Sequence, residues 1–277
     1  MPEGDTIFRT AATLRPVIEG TTIAAARLRD RQFDPERLVG AAIVRVEPRG
    51  KHLLMHLSTI DCLHSHLGMT GSWHAYRPGQ AWRKPAHYAA LHLDLTSAEV
   101  ICFSPKLLEL LSADQLRRHP HLRQLGPDLL SPAWDAASAL ARLRRRDATP
   151  LGVAIMDQSL VAGIGNVYKS ELLFLERFDP LAPVACYSDE ELLGLLDRAQ
   201  RLMSRNVGRG PRQTRFRGDG RRVWVYGRSG EGCYRCGNAI QLRRQGMQGR
   251  TTYWCPSCQP QRTAPNAPAS PGLPPLP

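Results

Sequence analysis

The chain of 277 residues lacks any apolar run long enough to cross a bilayer. Its beginning also lacks the basic-then-apolar pattern of a secretory signal. These absences argue against a helical membrane protein and predict a cytosolic one. The composition, 42% hydrophobic and 22% charged, is ordinary for a globular protein, and the length suits two modest domains with a small appendage.

Residues 201–262 lack lysine entirely and contain only two acidic residues, against fourteen arginines. The formal net charge of the whole chain is +12, so the excess positive charge lies in this one stretch. A basic block of this kind is typical of phosphate binding, although a solvated basic face is the alternative. Arginine in place of lysine favours phosphate, because the planar guanidinium matches it with two parallel hydrogen bonds.

Short runs of alternating apolar and polar residues dominate the first 122 residues. They are TTIAAARL, AIVRVEPRG, HLLMHLS, CLHSHL, HYAALHLDL and EVICFS, and many are separated by glycine, proline or serine. Closely spaced short strands of this kind predict a β-sandwich. Residues 5–18 carry apolar side chains at helical spacing, which predicts a first helix that Pro16 ends or bends.

The pattern turns helical from residue 123 onward. Ser-Pro and Thr-Pro signals predict helices starting at SPAWDAASALARLRRR and TPLGVAIMDQ, and SDEELLGLLDRAQRLMSRNV begins with a serine cap. We predict a multidomain α+β chain with a β-sandwich at 1–122, a helical domain at 123–222 and a hairpin at 223–262, with a short strand at RRVWVYG near that boundary. The uncharged, proline-rich stretch 263–277 is predicted to be disordered.

Four of the seven cysteines form two C-x2-C pairs with eighteen residues between them: Cys233, Cys236, Cys255 and Cys258. This spacing predicts one structural zinc ion held by four thiolates. Two disulfides are the alternative, which a cytosolic chain disfavours. A turn at Gly249 would place Arg250 at the tip of a β-hairpin, where we expect it to contact a phosphate.

The remaining candidate ligands do not predict a second metal site. Cys62, Cys102 and Cys186 stand alone in partly apolar surroundings and are interpreted as small buried side chains. All nine histidines lie between residues 52 and 121, and their alternation with leucine and methionine indicates strand faces rather than a ligand set.

A glycine-rich turn in LVAGIGNVYKSELLF places Gly163 and Gly165 before Asn166 and a helix. Small residues let backbone amides approach an anion, and a helix N-terminus adds partial positive charge. Asn166 could instead simply cap the helix. Lys169 lies one turn inside.

The opening MPEGDTIFRT places proline second and glutamate third. A structural interpretation is available, since proline is favourable near a helix start and Glu3 suits a first turn. A chemical interpretation is that removal of Met1 would leave Pro2 with a free secondary amine.

Six stretches occur in an order that resembles one family: PEG, RGKHLL, HLGMTGS, LGPDLL, DQSLVAGIGNVYKSELLF and VYGRSGEGCYRC…GRTTYWCPSCQ. Together they resemble the bacterial formamidopyrimidine-DNA glycosylase/endonuclease VIII family over nearly the whole chain apart from the tail. The resemblance implies an N-terminal β-sandwich with flanking helices, a helix–two-turn–helix domain, a C-terminal zinc-finger hairpin, and DNA in the cleft between domains.

The same resemblance implies a catalytic set. Pro2 would be the nucleophile that forms a Schiff base with the sugar, and Glu3 would move protons. Lys51 of RGKHLL would be a cation near the reacting sugar or its phosphate, where the alternative is a surface lysine.

It also implies a DNA-binding set. Asn166 and Arg250 would hold phosphates around the lesion, with Lys169 assisting, and these contacts position the duplex without reading bases. Met69 of HLGMTGS would be the apolar wedge that fills the space of the extruded base, whereas a methionine is more commonly a core residue.

The chain departs from the family pattern at three places. Thr6 replaces a common glutamate, and the arginine and phenylalanine that many purine-specific members insert opposite the lesion are not recognisable in FSPKLLELLS. The stretch between Asn206 and the VYG at 225–227 is short for a loop that caps a purine lesion. With MPEG, these features favour the endonuclease VIII branch and oxidised pyrimidines.

The resulting hypothesis is a base-excision-repair DNA glycosylase and AP lyase, acting as a monomer on double-stranded DNA with a damaged base or an abasic site. It would work in the cytoplasm at the nucleoid, without a membrane. Two alternatives stay open: an oxidised-purine glycosylase, and a non-catalytic zinc-ribbon DNA-binding protein. The residues do not rank individual lesions, decide between β and β,δ elimination, or assign a role to the tail.

Overall fold

The computed structural model of the chain describes residues 2–30, 32–208 and 210–263. Its α-helices are α1 (Gly4–Ile18), α2 (Ala113–Arg118), α3 (Pro120–Arg123), α4 (Ala136–Arg144), α5 (Leu151–Ala154), α6 (Asn166–Glu176) and α7 (Asp189–Ser204). Its strands are β1 (Ile23–Leu28), β2 (Ile43–Arg49), β3 (His52–Leu57), β4 (Cys62–His66), β5 (Ser72–Tyr76), β6 (Ala89–Leu95), β7 (Glu99–Phe103), β8 (Leu107–Leu111), β9 (Gln241–Gln245) and β10 (Arg250–Trp254). Three short 3-10 helices cover Pro35–Leu38, Ala86–Tyr88 and Val184–Cys186.

Two four-stranded antiparallel sheets form the N-terminal part, with strand orders β1-β6-β7-β5 and β2-β3-β4-β8. Apolar residues from both sheets share one core, to which α1 adds Ile7, Ala11, Leu14 and Ile18. These four positions follow the helical spacing that the sequence shows, so α1 buries a single stripe. The predicted β-sandwich with a flanking first helix is confirmed.

The six runs predicted as strands all contain strands of the two sheets, but β5 and β8 were not predicted. The sequence of β8, LLELL, has no clean alternation and consists of good helix formers. It is nevertheless a strand because its full length pairs with β4, from Leu107 opposite His66 to Leu111 opposite Cys62. Tertiary pairing therefore overrides local propensity at this edge.

A second core lies between α4, α5, α6 and α7. The helix predicted from a Ser-Pro signal begins later than expected, at Ala136, because the carboxylate of Asp135 accepts the amide of Ser138 and caps it. Helix α7 begins as predicted, with Ser188 and Glu191 forming a reciprocal capping box. None of the helices in the described part of the chain is both long and apolar enough to cross a bilayer.

The C-terminal hairpin of β9 and β10 packs on α6 through a small core of five buried residues: Phe174, Val225, Cys233, Ile240 and Cys255. The predicted strand at RRVWVYG is wrong. The backbone amides of Trp224, Val225 and Tyr226 instead donate to the carboxylate of Glu171, at 2.7–2.8 Å. With its amides directed at one side chain, this segment wraps around α6 and cannot pair as a strand. Most of the predicted disordered tail, residues 264–277, lies outside the described residues.

Candidate functional site

Glu3 joins the first helix to the start of α6. It precedes α1 as the N-cap residue, and its side chain is fully buried. Its carboxylate accepts backbone amides from Gly165 (2.9 Å), Val167 (2.8 Å) and Tyr168 (3.3 Å). The first turn of a helix offers unpaired amides and partial positive charge, so α6 holds Glu3 as it would hold an anion.

The glycine-rich turn before α6 leaves room for the carboxylate of Glu3. A Cβ at Gly165 would lie 2.3 Å from the carboxyl carbon of Glu3, which no side chain could tolerate. Gly163 has a φ of +108°, and its carbonyl accepts the amide of Gly4 at 2.9 Å. Any residue with a side chain would therefore be strained at Gly163 and would collide at Gly165.

Lys51 lies at the turn between β2 and β3. The preceding Gly50 has a φ of +58°, and its amide donates to Asp128 at 2.6 Å. Burial lowers the pKa of Lys51 to about 8; nearby Glu3 opposes this shift, whereas Arg250 and Arg212 add to it. Lys51, Glu3 and these arginines therefore share one electrostatic environment although they are far apart in sequence.

Pro2 is half-buried and lies directly ahead of α1, next to Glu3. Met1 lies outside the described residues. The sequence predicts three catalytic side chains: Pro2, Glu3 and Lys51. In the fold, the charges of Glu3 and Lys51 interact, and Pro2 is the chain neighbour of Glu3.

Helix α6 also carries the hairpin. The side-chain amide of Asn166 donates to the Thr251 hydroxyl at 2.9 Å, and Lys169 donates to the Thr251 carbonyl at 2.9 Å. Arg250, the first residue of β10, is therefore held beside the N-terminus of α6. Lys169 is only 1% exposed, and burial, followed by Arg250, lowers its pKa to about 7, while Glu3 opposes the shift. The bond to Thr251 uses one of the three N–H donors of the Lys169 ammonium group.

Met69 lies in the turn between β4 and β5 and is 67% exposed. A methionine in the core would be buried, so the structure places it outside the core. The side chain of Lys106, in the turn between β7 and β8, lies against Gly68, the neighbour of Met69. A Cβ at Gly68 would lie 2.8 Å from it. The two turns form one projecting edge of the sandwich.

The four paired cysteines come together at the base of the hairpin. Their sulfur atoms all lie within 4.8 Å of one another, with Cys233 and Cys258 at 3.9 Å and Cys236 and Cys255 at 3.4 Å. A tetrahedral zinc ion with Zn–S bonds of about 2.3 Å would need sulfur separations of roughly 3.8 Å. The four thiols are free and fit such an ion, and the alternative of two disulfides is not what the structure contains.

A histidine cluster on the second sheet has an unexpected arrangement. His64, Glu109 and His119 bring three possible ligand atoms within 4.8 Å. The amide of Leu122 donates to Nδ1 of His119, and Nε2 of the same ring lies 2.8 Å from the carboxylate of Glu109. Nδ1 of His64 contacts the same carboxylate at 2.7 Å, and its Nε2 lies 2.8 Å from Nδ1 of His52. The three histidines and Glu109 therefore form one hydrogen-bonded chain.

Comparison with known proteins identifies the family. The model of the formamidopyrimidine-DNA glycosylase N-terminal domain matches residues 1–106, and that of the H2TH domain of the same enzymes matches residues 125–217. The chain belongs to the formamidopyrimidine-DNA glycosylase family. The resemblance proposed from the motifs is confirmed.

Within this family, the chain is 39% identical to a probable endonuclease 8 2 of Streptomyces coelicolor, covering 94% of each chain. It is 40% identical to the DNA-(apurinic or apyrimidinic site) lyase Nei2 of Mycolicibacterium smegmatis, covering 94% of this chain and 99% of that one. The crystal structure of the MutM (Fpg) protein of Thermus thermophilus is 30% identical, with a TM-score of 0.77 over 93% of this chain and 98% of that one. The fold expected for a family glycosylase, with its C-terminal hairpin, is confirmed.

Sequence reasoning missed two buried carboxylates of this family member, Asp5 and Glu171, and the half-buried carboxylate of Asp128. Asp128 positions the turn before Lys51, Glu171 holds the segment that leads to the hairpin, and Asp5 binds Arg212. LGPD and KSE were visible as motifs, and polar residues inside apolar patterns were the available signal. Their partners could not be found, because they lie between 53 and 207 residues away along the chain.

Proposed function

We propose that this protein is a bifunctional DNA glycosylase and AP lyase of base excision repair, which uses Pro2 to remove oxidised bases and then cleave the strand. The observation that carries the proposal is that the first turn of α6 holds the carboxylate of Glu3, the neighbour of Pro2, while the same helix holds the strand that begins with Arg250. Relatives named endonuclease 8 and AP lyase support both activities.

The reaction begins once Met1 has been removed. An α-amino group titrates near ~8, so a useful fraction of the Pro2 amine is neutral at physiological pH. Its nitrogen attacks C1′ of the extruded deoxyribose, and the bond from C1′ to the base breaks, so the base leaves with the electron pair and is protonated. The nitrogen then sheds its own proton, and its lone pair forms a C1′=N⁺ iminium as the C1′–O4′ bond opens.

Glu3 is the group that moves protons in this scheme. It accepts the proton that the Pro2 nitrogen sheds and gives it to O4′ as the ring opens. Now a carboxylate again, it accepts a proton from C2′, which the adjacent iminium has made acidic. The electrons left at C2′ expel the 3′-phosphate, and water later hydrolyses the iminium to free Pro2. Three amides hold the carboxylate in one place for these steps.

Phosphates on either side of the lesion bind Lys51, Asn166 and Arg250. Lys51 reaches the phosphate of the reacting nucleotide from the turn before β3, and Arg250 offers a guanidinium fork from the start of β10. Lys169 assists by holding β10 through the Thr251 carbonyl, as Asn166 does through the Thr251 hydroxyl.

Met69 fills the space of the extruded base. Extrusion costs a few kcal/mol of unstacking, and an exposed apolar side chain on a projecting turn can replace the lost stacking. The pyrimidine preference rests on the missing purine-specific arginine and phenylalanine and on the short segment after α7. An oxidised-purine specificity is the competing outcome of the lesion assay below.

One zinc ion binds the four paired cysteines and has a structural role. Four thiolates leave a tetrahedral ion no open position for substrate, so the metal braces the hairpin that presents Arg250. We propose that the protein acts as a monomer, on duplex DNA at the nucleoid in the cytoplasm.

Covalent trapping tests the proposal. Borohydride should reduce the iminium and link the wild-type protein to abasic-site DNA, and intact mass should show that Met1 is absent. Pro2→Gly should depress base excision by about 100-fold or more while its primary amine retains some lyase activity. A zinc-loaded wild-type protein that binds DNA but is never trapped would favour the non-catalytic zinc-ribbon alternative. A panel of defined oxidised pyrimidines and purines then decides the lesion class.

A further inference from the structure

Arg212 lies in the irregular segment after α7, yet its side chain reaches back to the first turn of α1. Its Nε donates to Oδ2 of Asp5 at 2.8 Å and its Nη2 to Oδ1 of the same carboxylate at 2.5 Å, in a two-pronged ion pair. The Nη2 also donates to the hydroxyl of Thr6 at 2.9 Å. The side chain of Asp5 is fully buried and that of Arg212 only 13% exposed.

The same guanidinium also lies close to the carboxylate of Glu3. Its Nη1 lies 3.7 Å from Oε1 of Glu3, and the ring of Tyr168 packs 5.0 Å from the guanidinium carbon. The hydroxyl of Tyr168 also donates to the carboxylate of Asp5, at 3.2 Å. Arg212, Asp5 and Tyr168 therefore form one buried cluster beside Glu3.

This cluster occupies the place where the sequence departs from the family pattern. Thr6 cannot supply the carboxylate that members commonly carry at that position, and here its hydroxyl accepts from Arg212 and donates to Asp5 at 3.3 Å. In this chain the buried carboxylate of the first turn is that of Asp5, and it is paired with a cation from a distant segment.

We propose that Arg212 is a positioning residue of the active site, which clamps the first turn of α1 through Asp5 and Thr6 and aligns the Glu3 carboxylate beside Pro2. This inference rests on the proposed function of Glu3 and Pro2. Its guanidinium binds Asp5 and Thr6 and lies 3.7 Å from the carboxylate of Glu3. It acts through Glu3 and has no contact with the reacting sugar.

Removing Arg212 alone would mix two effects, because it would leave the buried carboxylate of Asp5 without its cation and destabilise the fold. The double variant Asp5→Asn/Arg212→Gln separates them. An asparagine carbonyl can accept from a glutamine amide, so the pair remains hydrogen-bonded and uncharged, and the fold should regain its stability. Glu3, however, would still lack the guanidinium 3.7 Å away.

The experiment measures three quantities for each variant: the melting temperature, the Kd for abasic-site DNA, and the single-turnover rate of borohydride trapping at saturating enzyme. Arg212→Gln should lower the melting temperature and slow trapping by about tenfold or more. The double variant should recover the melting temperature yet stay at least about tenfold slow, with Kd within about threefold of wild type. Arg212→Lys, which keeps the charge and loses the fork, should be intermediate.

Arg217→Gln is the matched control, since it neutralises an exposed arginine of the same segment. It should leave the trapping rate unchanged. A double variant that traps at the wild-type rate would show that Arg212 only balances the charge of Asp5, and the inference would be lost. If the wild-type protein itself is not trapped, it is the proposed function that has failed, which the same gel reveals independently.

Discussion

Two buried glutamates, Glu3 at the start of α1 and Glu171 within α6, are held in similar ways, yet we assign them different roles. Glu3 accepts three backbone amides from the first turn of α6. Glu171, inside the same helix, accepts three backbone amides from residues 224–226 and the hydroxyl of Thr214. Both side chains are fully buried. Backbone donors alone therefore hold a carboxylate in place without making it reactive.

Glu3 and Glu171 differ in the groups that surround them in addition to the backbone amides. Near Glu3 are Lys51, the guanidinium of Arg212 and the neighbouring Pro2. Beside Glu171 is the small apolar core that includes Phe174 and Val225. Burial raises the pKa of Glu171, opposed by Thr214 and the amides, and no step of the proposed reaction uses that carboxyl group. We propose that the neighbouring cations and the Pro2 amine, rather than burial, make Glu3 reactive while Glu171 is structural.

The largest expected effect separates the two glutamates directly. Glu3→Gln and Glu171→Gln each replace a carboxylate by an amide whose NH2 group faces backbone donors, so both should cost about 1–3 kcal/mol of stability. Only Glu3→Gln should remove proton transfer, slowing trapping by about 10²–10⁴-fold. Single-turnover trapping, measured at a temperature where both variants are folded, makes the comparison.

Glu171→Asp supplies a control, since it keeps the charge and shortens the reach to the amides of residues 224–226. It should lose stability with little loss of trapping rate per folded molecule. Equal loss of trapping rate in Glu3→Gln and Glu171→Gln would erase the distinction, and Glu3 would have to be considered a structural residue as well.

The proposed zinc site gives a second test of the structural role that we assign to Glu171. Glu171 and the four cysteines together hold the hairpin that carries Arg250, so removing the metal should release that arginine. We expect Cys255→Ser to abolish stoichiometric zinc in metal analysis and to weaken DNA binding by about 100-fold. Cys186→Ser, at a buried thiol outside the cluster, should retain both metal and affinity. Full affinity in a zinc-free Cys255→Ser protein would contradict a bracing role.

The sequence accounts for much of this molecule, because its local signals are strong where elements are regular. Six strand-containing runs, the first helix, the capping box at Ser188 and the cysteine spacing all follow from short-range rules. Strand β8 was missed because its leucine-rich sequence carries no period of two, and only its pairing with β4 makes it a strand. The RRVWVYG segment satisfied the strand rule but is drawn to Glu171 instead.

The site itself could be predicted only in part. Pro2, Glu3 and Lys51 were found through motifs, but the pairing of Asp5 with Arg212 spans 207 residues, and no periodicity reports it. Thr6 was recognised as a departure from the family, whereas the guanidinium that accompanies it became visible only in three dimensions. Long-range polar pairs inside a core are where local rules end.

A smaller effect tests how much the hairpin contributes to DNA binding near Glu3. Arg250→Ala should weaken binding to undamaged and abasic DNA by about tenfold, with the salt slope reduced by about 1, because one phosphate contact is lost. Arg243→Ala, at an exposed arginine of the neighbouring strand, should change the affinity much less. Kd titrations at several salt concentrations give both values. A loss confined to particular sequences would mean that Arg250 reads bases instead.

The smallest effect concerns pH and the balance of charges around Glu3. The pKa of Lys51, lowered to about 8 mainly by burial, means that this lysine loses its proton above that pH rather than above ~10.4. The Pro2 amine must be neutral to react, so kcat/KM should rise toward pH ~8 and then fall as Lys51 ceases to attract phosphate.

Lys51→Arg keeps its charge throughout, so its profile, normalised at pH 7, should reach a plateau where the wild type declines, with a difference of about twofold at pH 8. Lys106→Arg, at an exposed lysine, should follow the wild type. Because the wild-type decline is a property of the free enzyme, it should weaken in the kcat profile once bound phosphate restores the proton to Lys51. A decline that is equal in wild type and Lys51→Arg would instead assign the basic limb to another group, and the electrostatic difference between the two glutamates would then rest on Arg212 and Arg250 alone.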